Sequence, residues 1–288
     1  MKYRFIKASQ YQFPVEKMCR ALNVSRGGYY AWLERPLSKR GQENIKLLER
    51  IKEIYESSRK RYGSPRITDQ LHDEGFIVSR PRVARHMKAN GISAVGKKKF
   101  RVTTNSNHAY PIAPNLLERN FKADAPGCVW VSDITYIHTE AGWLYLTVVV
   151  DLFNRMIVGW SMSNGMCASE TSIAALKHAY NRFHPTPGLI FHSDRGVQFA
   201  CTDFKEQLNK YQMIQSMSAK GDCWDNAVVE SFFSTLKKEE VYRQHYENQW
   251  RARQSIFSYI EIFYNRIRKH SYLGYKSPVQ FTRLKQAA

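Results

Sequence analysis

The chain is predicted to fold as an α/β core with a mixed five-stranded sheet, preceded by small all-α helix-turn-helix units. Three observations predict this. Residues 129–163 carry three runs rich in β-branched and aromatic residues, separated by turn residues, which is the pattern of consecutive strands. Beyond them, helical patterns alternate with short apolar runs, the order of an α/β layer structure. Ahead of residue 122, apolar residues recur mainly at helical spacing.

Residues 1–40 read as a helix-turn-helix-like unit. Val15, Met18, Cys19 and Leu22 mark one helix, Asn23-Val24 break it, and Ser25 is placed to cap a second helix through Tyr29, Tyr30 and Trp32. These aromatics suit a small core better than base stacking. Residues 41–95 read as a second helical unit, expected to bind DNA. Ile45, Leu48, Ile51, Ile54 and Tyr55 give a long helix an apolar stripe. Arg59–Pro65 interrupts it, a helix follows over 66–74, and Gly75 ends that helix. Ser79 caps a last helix with Pro81 in its first turn. Arg80, Arg82 and Arg85 make that helix basic, with Arg82 and Arg85 opposite Val83 and Met87. A basic face on the last helix of three suits a DNA groove, although a solvated amphipathic helix carries the same pattern. Residues 96–122 are a basic linker in which Lys97, Lys98 and Lys99 could lie along phosphates.

The core spans residues 123–288. Strands are expected over 129–138, 143–151 and 155–163 as an antiparallel meander with Gly142 and Asn154 in the turns. A helix over 169–183, a strand over 189–192, a helix over 202–211 and a strand over 213–217 complete the sheet. A helix then carries Asn226, Glu230 and Lys237 near one face. Residues 242–269 are expected to continue as a helical extension, followed by a basic, aromatic segment containing Arg266, Arg268, Lys269 and His270.

Charge is distributed unevenly. Residues 1–122 hold 26 Lys+Arg against 10 Asp+Glu, residues 123–234 hold 7 against 11, and residues 235–288 hold 11 against 4. An acidic middle between basic flanks suits a metal-binding core held by segments that grip a polyanion. The five cysteines form no C-x-x-C pair, which argues against a structural zinc site or disulfide scaffold and suits a reducing cytoplasm. The N-terminus is too charged for a signal peptide. The apolar run Leu144–Val150 is too short to span a bilayer, so no membrane partner is expected.

Three acids stand out. Asp133 lies within the apolar strand Trp130–Tyr136, where an unpaired charge costs several kcal/mol. Asp194 follows the short run Leu189–Phe191 where a strand leaves the sheet, and Glu230 sits on a helix. Carboxylates on separate elements suit a pair of hard cations, which bind oxygen and keep positions open for phosphate and water. The pattern points to metal-dependent chemistry on nucleic-acid phosphodiesters. Asp151, Asp203, Asp222 and Asp225 compete on spacing alone, as a turn residue, a first-turn helix charge, a loop residue and an N-cap respectively.

The motifs W-x-x-D-I-T-Y (Trp130–Tyr136), H-S-D-R-G-x-Q-F (His192–Phe199) and N-A-x-x-E-S-F-F-S-x-L-K (Asn226–Lys237) resemble the DDE catalytic core of bacterial insertion-sequence transposases. The likeness is to the insertion-sequence-three family, relatives of retroviral integrases. The 35 residues between Asp194 and Glu230 match the family spacing, and Lys237 stands seven after the Glu. The resemblance extends through R-Y-G-S-P-R-I (Arg61–Ile67) and so covers nearly the whole chain.

The resemblance implies an RNase H-like core in which Asp133, Asp194 and Glu230 hold two Mg²⁺ or Mn²⁺ ions. It implies 3′-end nicking by water, then strand transfer by the freed 3′-OH. Lys237 would hold a DNA phosphate, and Asn226, near the same face of that helix, is a further candidate DNA contact. His192 is assigned no chemical role. The expected partners are DNA as element ends and target, further copies of the chain on that DNA, and a product of the element's first reading frame. With its own Met and no heptad run, the chain looks like the second-frame product, acting at the nucleoid in a bacterial cytoplasm. Two alternatives stay open: a regulatory DNA-binding product of the element, and a nuclease of the same fold.

Overall fold

The computed structural model describes residues 1–94, 110–118, 120–219 and 226–287. Lys97, Lys98, Lys99, Asp222 and Asp225 lie outside them. The chain divides into two compact units, Met1–Ser93 and Ala94–Ala288.

The first unit is all helix. It begins with α1 (Lys2–Ser9), α2 (Val15–Ala21) and α3 (Arg26–Glu34). Ile6, Met18, Cys19 and Tyr29 are its buried centre, so α1 adds a helix that the sequence pattern did not reveal. The Ser25 hydroxyl accepts from Gly28 N at 2.9 Å, as its N-cap position predicts. Next come α4 (Lys39–Ser57), α5 (Ser64–Asp73) and α6 (Arg80–Ala89), each packed on the other two. The buried seam of α4 is Leu47, Ile51 and Ile54, whereas Ile45 is exposed and Leu48 only half-buried. The expected stripe was therefore displaced: the face toward α5 and α6 follows 47-51-54, four then three residues apart. Ser79 is the N-cap residue of α6, but its side chain makes no capping hydrogen bond.

The second unit is built on β1 (Val129–Thr139), β2 (Gly142–Asp151) and β3 (Ile157–Ser163). Both pairings are antiparallel, the meander expected. Then follow α7 (Ser172–Phe183), β4 (Ile190–Ser193), α8 (Val197–Ala200), α9 (Thr202–Lys210), β5 (Ile214–Met217) and α10 (Ala227–Glu239). The sheet order is β3-β2-β1-β4-β5, with β4 parallel to β1 and β5 parallel to β4. Two-residue alternation turns Trp130, Val149, Phe191 and Met217 into one core with Leu176 of α7 and with Phe204 and Leu208 of α9. A Cβ on Gly159 of β3 would lie 2.5 Å from the Ala175 carbonyl oxygen, so only glycine lets α7 approach this closely.

Residues 241–269 do not form one helix. A 3₁₀ turn over Val241–Arg243 precedes α11 (Gln249–Phe257), which runs into a π-helical stretch, Ser258–Tyr264. Asn265 then pairs with the edge of β3, accepting from Ile157 N and donating to Ile157 O, both at 3.0 Å. That side-chain amide substitutes for a neighbouring strand at an otherwise open edge. The chain closes with α12 (Pro278–Gln286), begun by a capping box between Ser277 and Gln280. The basic segment around Arg268 is interior: Arg268, Lys269 and His270 are all buried. Arg268 binds both oxygens of Glu239 on α10, and Tyr259 donates to the same carboxylate at 2.8 Å.

Candidate active site

The parallel pairing of β1 with β4 builds the site. Ser132 is registered against Ser193. The next residues along the two chains are Asp133 and Asp194, at the point where β4 ends. Ligand sites of open α/β sheets form outside such carboxyl ends. The third acid comes from α10, which packs on β1. Asn226, the residue before α10, donates its amide to Ser132 O at 3.1 Å and so ties the start of the helix to the strand beside Asp133.

All three acids are partly accessible. Asp133 Oδ1 accepts from Ile134 N at 2.7 Å, and Asp194 Oδ1 accepts from Gly196 N at 2.9 Å. A Cβ on Gly196 would lie 3.0 Å from that Asp194 oxygen, so the residue type at 196 bears directly on where the carboxylate rests. Burial pushes Asp133 well above the ordinary carboxylate range, and the charges of Asp194 and Glu230 push it further. Lys237 and the Ile134 hydrogen bond act the other way. Burial also raises Glu230. Lys237, half-buried on α10, is lowered by burial and partly restored by Asp133. Asp133, Asp194, Glu230 and Lys237 thus share one electrostatic neighbourhood. Among the described residues, no three His, Cys, Asp or Glu side chains are drawn tightly enough to grip an ion in their present positions.

His192 lies beneath this surface as a structural residue. It is buried between the Ser216 hydroxyl at 2.9 Å and the Ser218 hydroxyl at 3.3 Å. Arg195 donates to Ser218 O at 2.7 Å. These bonds join the ends of β4 and β5 around Asp194. Of the competing acids, Asp151 is a buried turn residue accepting from Gly127 N, Trp130 Nε1 and Phe153 N. Asp203 sits in the first turn of α9.

The basic residues separate into groups. Arg80 and Arg85 are exposed on α6. Arg82 instead reaches α4, donating to Asn44 Oδ1 at 2.7 Å and lying 3.6 Å from Glu43. Asn226 is buried, with its amide engaged by the sheet. Sequence reasoning missed Gly196 and Tyr136 as neighbours of the acids. Both stand inside the quoted motifs, so proximity in sequence was the available signal.

Among the described residues no helix is long and apolar enough to cross a membrane. Residues 123–223 and 211–278 match integrase core domain families, and residues 42–100 match an HTH-like domain. The transposase InsF for insertion sequence IS3A of Escherichia coli (strain K12) is 41% identical over 98% of this chain and 98% of its own length. An uncharacterized 31 kDa protein of insertion element IS600 from Shigella sonnei is 43% identical over 92% of this chain and 97% of its own. Among solved structures, the HTLV-2 integrase catalytic core domain in complex with magnesium matches with a TM-score of 0.42 and 18% identity, covering 55% of this chain and 98% of that one. The mixed sheet with its flanking helices is an integrase core on the RNase H-like fold. This chain belongs to the IS3 family of insertion-sequence transposases, enzymes of the polynucleotidyl-transferase type.

Proposed function

We propose that this transposase nicks the 3′ ends of its element and joins them to target DNA, with Asp133, Asp194 and Glu230 as the ligands of two Mg²⁺ or Mn²⁺ ions. The observation that carries the reading is the side-by-side placing of Asp133 and Asp194 by the β1–β4 register, with Glu230 in the same field. The donor set fits hard divalent cations: it is all carboxylate oxygen, and the charges of Asp194 and Glu230 add to burial in raising Asp133. Bound there, such ions activate an attacking oxygen and stabilise a leaving one.

The chain's own contribution is placement. The β1–β4 register sets two carboxylates, and α10, pinned through Asn226, sets the third. Lys237, two turns along α10 from Glu230, is positioned to hold a phosphate oxygen as a point charge. In the first step water attacks the phosphorus at the element's 3′ end and the 3′-OH leaves. In the second that 3′-OH attacks a target phosphodiester. Each step forms one P–O bond and breaks one, so no energy source is required.

Arg80 and Arg85 on exposed positions of α6 support entry of that helix into a DNA groove, with Arg82 bracing the helix against Asn44 of α4. Lys97, Lys98 and Lys99 would add salt-sensitive phosphate contacts. Joining two ends at once calls for more than one copy on the DNA, at the bacterial nucleoid, with the first-frame product as a further partner.

The test is strand transfer in Mn²⁺ with purified protein and labelled duplexes copied from the element's ends, with Asp194→Asn as control. Joined products that disappear in the variant are expected. Products undiminished in Asp194→Asn would overturn the assignment.

A further inference from the structure

Beside the acids lies a cleft of about 390 Å³, walled by Tyr136, His138 and Trp143 of the β1–β2 hairpin, by Lys237 of α10, and by Tyr242 and His245 beyond it. This is the low end of small-molecule pockets, enough for one planar ring system and far too small for a duplex. Two of its walls belong to the acid site as well. Tyr136 stands three residues after Asp133 on β1, and Lys237 stands two turns after Glu230 on α10.

We propose that the cleft receives one base of the strand being cut, drawn out of the helical stack and seated against Trp143, while Lys237 holds a neighbouring phosphate. The inference rests on the phosphodiester chemistry proposed for the acids.

Four features support this occupant. The walls are aromatic: Tyr136 meets Trp143 and Tyr145 edge-on, and His138 meets Trp143 edge-on with centroids 5.1 Å apart. Trp143 keeps 51% of its surface exposed and Tyr242 keeps 43%, leaving ring surface for a further ring to cover. Such platforms bind unstacked bases with little regard to sequence. A lysine suits a phosphate: Lys237 lines the cleft, and the lining carboxylate, Glu140, is engaged by a hydrogen bond with His245 at 2.9 Å. The cleft is also preformed, because the hairpin turn is laced to the segment after α10. Glu140 N donates to Tyr246 O at 3.0 Å, and Gln249 donates to Trp143 O at 3.1 Å. A base drawn out into the cleft would fix the register of the strand beside the scissile phosphate, at the cost of unstacking it.

The experiment uses the full chain and duplexes copied from the element's end, with 2-aminopurine at successive positions around the scissile phosphate. The Glu230→Gln background is used to block cutting. A change in emission at one position and not at its neighbours is expected, lost in Trp143→Ala and kept in Trp143→Phe. With Glu230 intact, Trp143→Ala should nick paired DNA about tenfold more slowly, and a mismatch at the responsive position should restore the rate. Emission unchanged at every position, or the same response in Trp143→Ala, would sink the proposal and leave the cleft to some other occupant, such as a partner's side chain. Cutting that survives Glu230→Gln would overturn the assignment of the acids, while the emission pattern still judged the cleft independently.

Discussion

Arg268 reaches back 29 residues to grip both oxygens of Glu239, at 2.8 and 2.9 Å, inside the second unit. The pair fastens the C-terminal end of the helix that carries Glu230 and Lys237 to the segment after the π-helical run. Burial works against the charged guanidinium, but Glu239 outweighs it and Arg268 is held above its ordinary range. Removing one partner strands the other charge in the interior. Arg268→Ala or Glu239→Ala is expected to lose about 3–5 kcal/mol in urea unfolding. The double variant Glu239→Leu with Arg268→Met should recover much of that loss.

Gly196→Ala is expected to keep stability and DNA affinity while slowing nicking about tenfold, because its methyl group presses on the Asp194 carboxylate. Single-turnover cleavage alongside a binding titration checks this. A tenfold loss of affinity would point to the loop rather than the carboxylate.

Asn226→Ala is expected to bind element ends within about twofold of wild type yet cut them more slowly. Its amide holds the start of α10 to Ser132 and is buried. If affinity falls as far as rate, Asn226 acts on DNA directly.

The arginines of α6 should divide in the same way. Arg80→Ala with Arg85→Ala is expected to lower the slope of log affinity against log salt by about 1.8, since each phosphate contact contributes about 0.9. Arg82→Ala should leave that slope nearly unchanged and lower stability, because its guanidinium is tied to Asn44.

Glu261 sets an acid limb of the stability curve. Burial would raise its carboxyl, but hydrogen bonds from Arg182 and Trp160 prevail and hold it below the ordinary 4.5. A carboxyl depressed in the folded state stabilises above its unfolded value and loses that contribution as pH falls through its folded value. Unfolding titrations of Glu261→Gln should therefore show a shallower loss of stability below pH 4.5 than wild type.

The legible parts of this molecule were those governed by local chemistry. The meander could be read because Val, Ile, Tyr and Trp crowd residues 129–163, and the Ser25 cap because hydroxyl and amide lie three residues apart. Asp133 stood out as a charge in an apolar strand. What stayed hidden depends on distant partners. Arg268, Lys269 and His270 read only as part of a basic, aromatic segment, because nothing local shows that Glu239 is brought to Arg268. The broken helix after residue 241 was concealed by apolar spacing that suits α and π turns alike. The cleft by Trp143 is built from segments about 100 residues apart, and Asn226 looked like a DNA contact because nothing local reveals its bond to Ser132.

The register of β1 on β4 also governs where this protein can change length. Slipping either strand by one residue would swap every side chain to the opposite face and separate Asp133 from Asp194. The turn after α7 is under no such constraint. His184, Thr186, Pro187 and Gly188 are exposed there, and lengthening a surface loop adds only about 0.6 kcal/mol per doubling. Diverging copies of the element, and engineers seeking a place for an epitope or a fluorescent tag, therefore have room between the two aspartates in chain length and none in strand alignment.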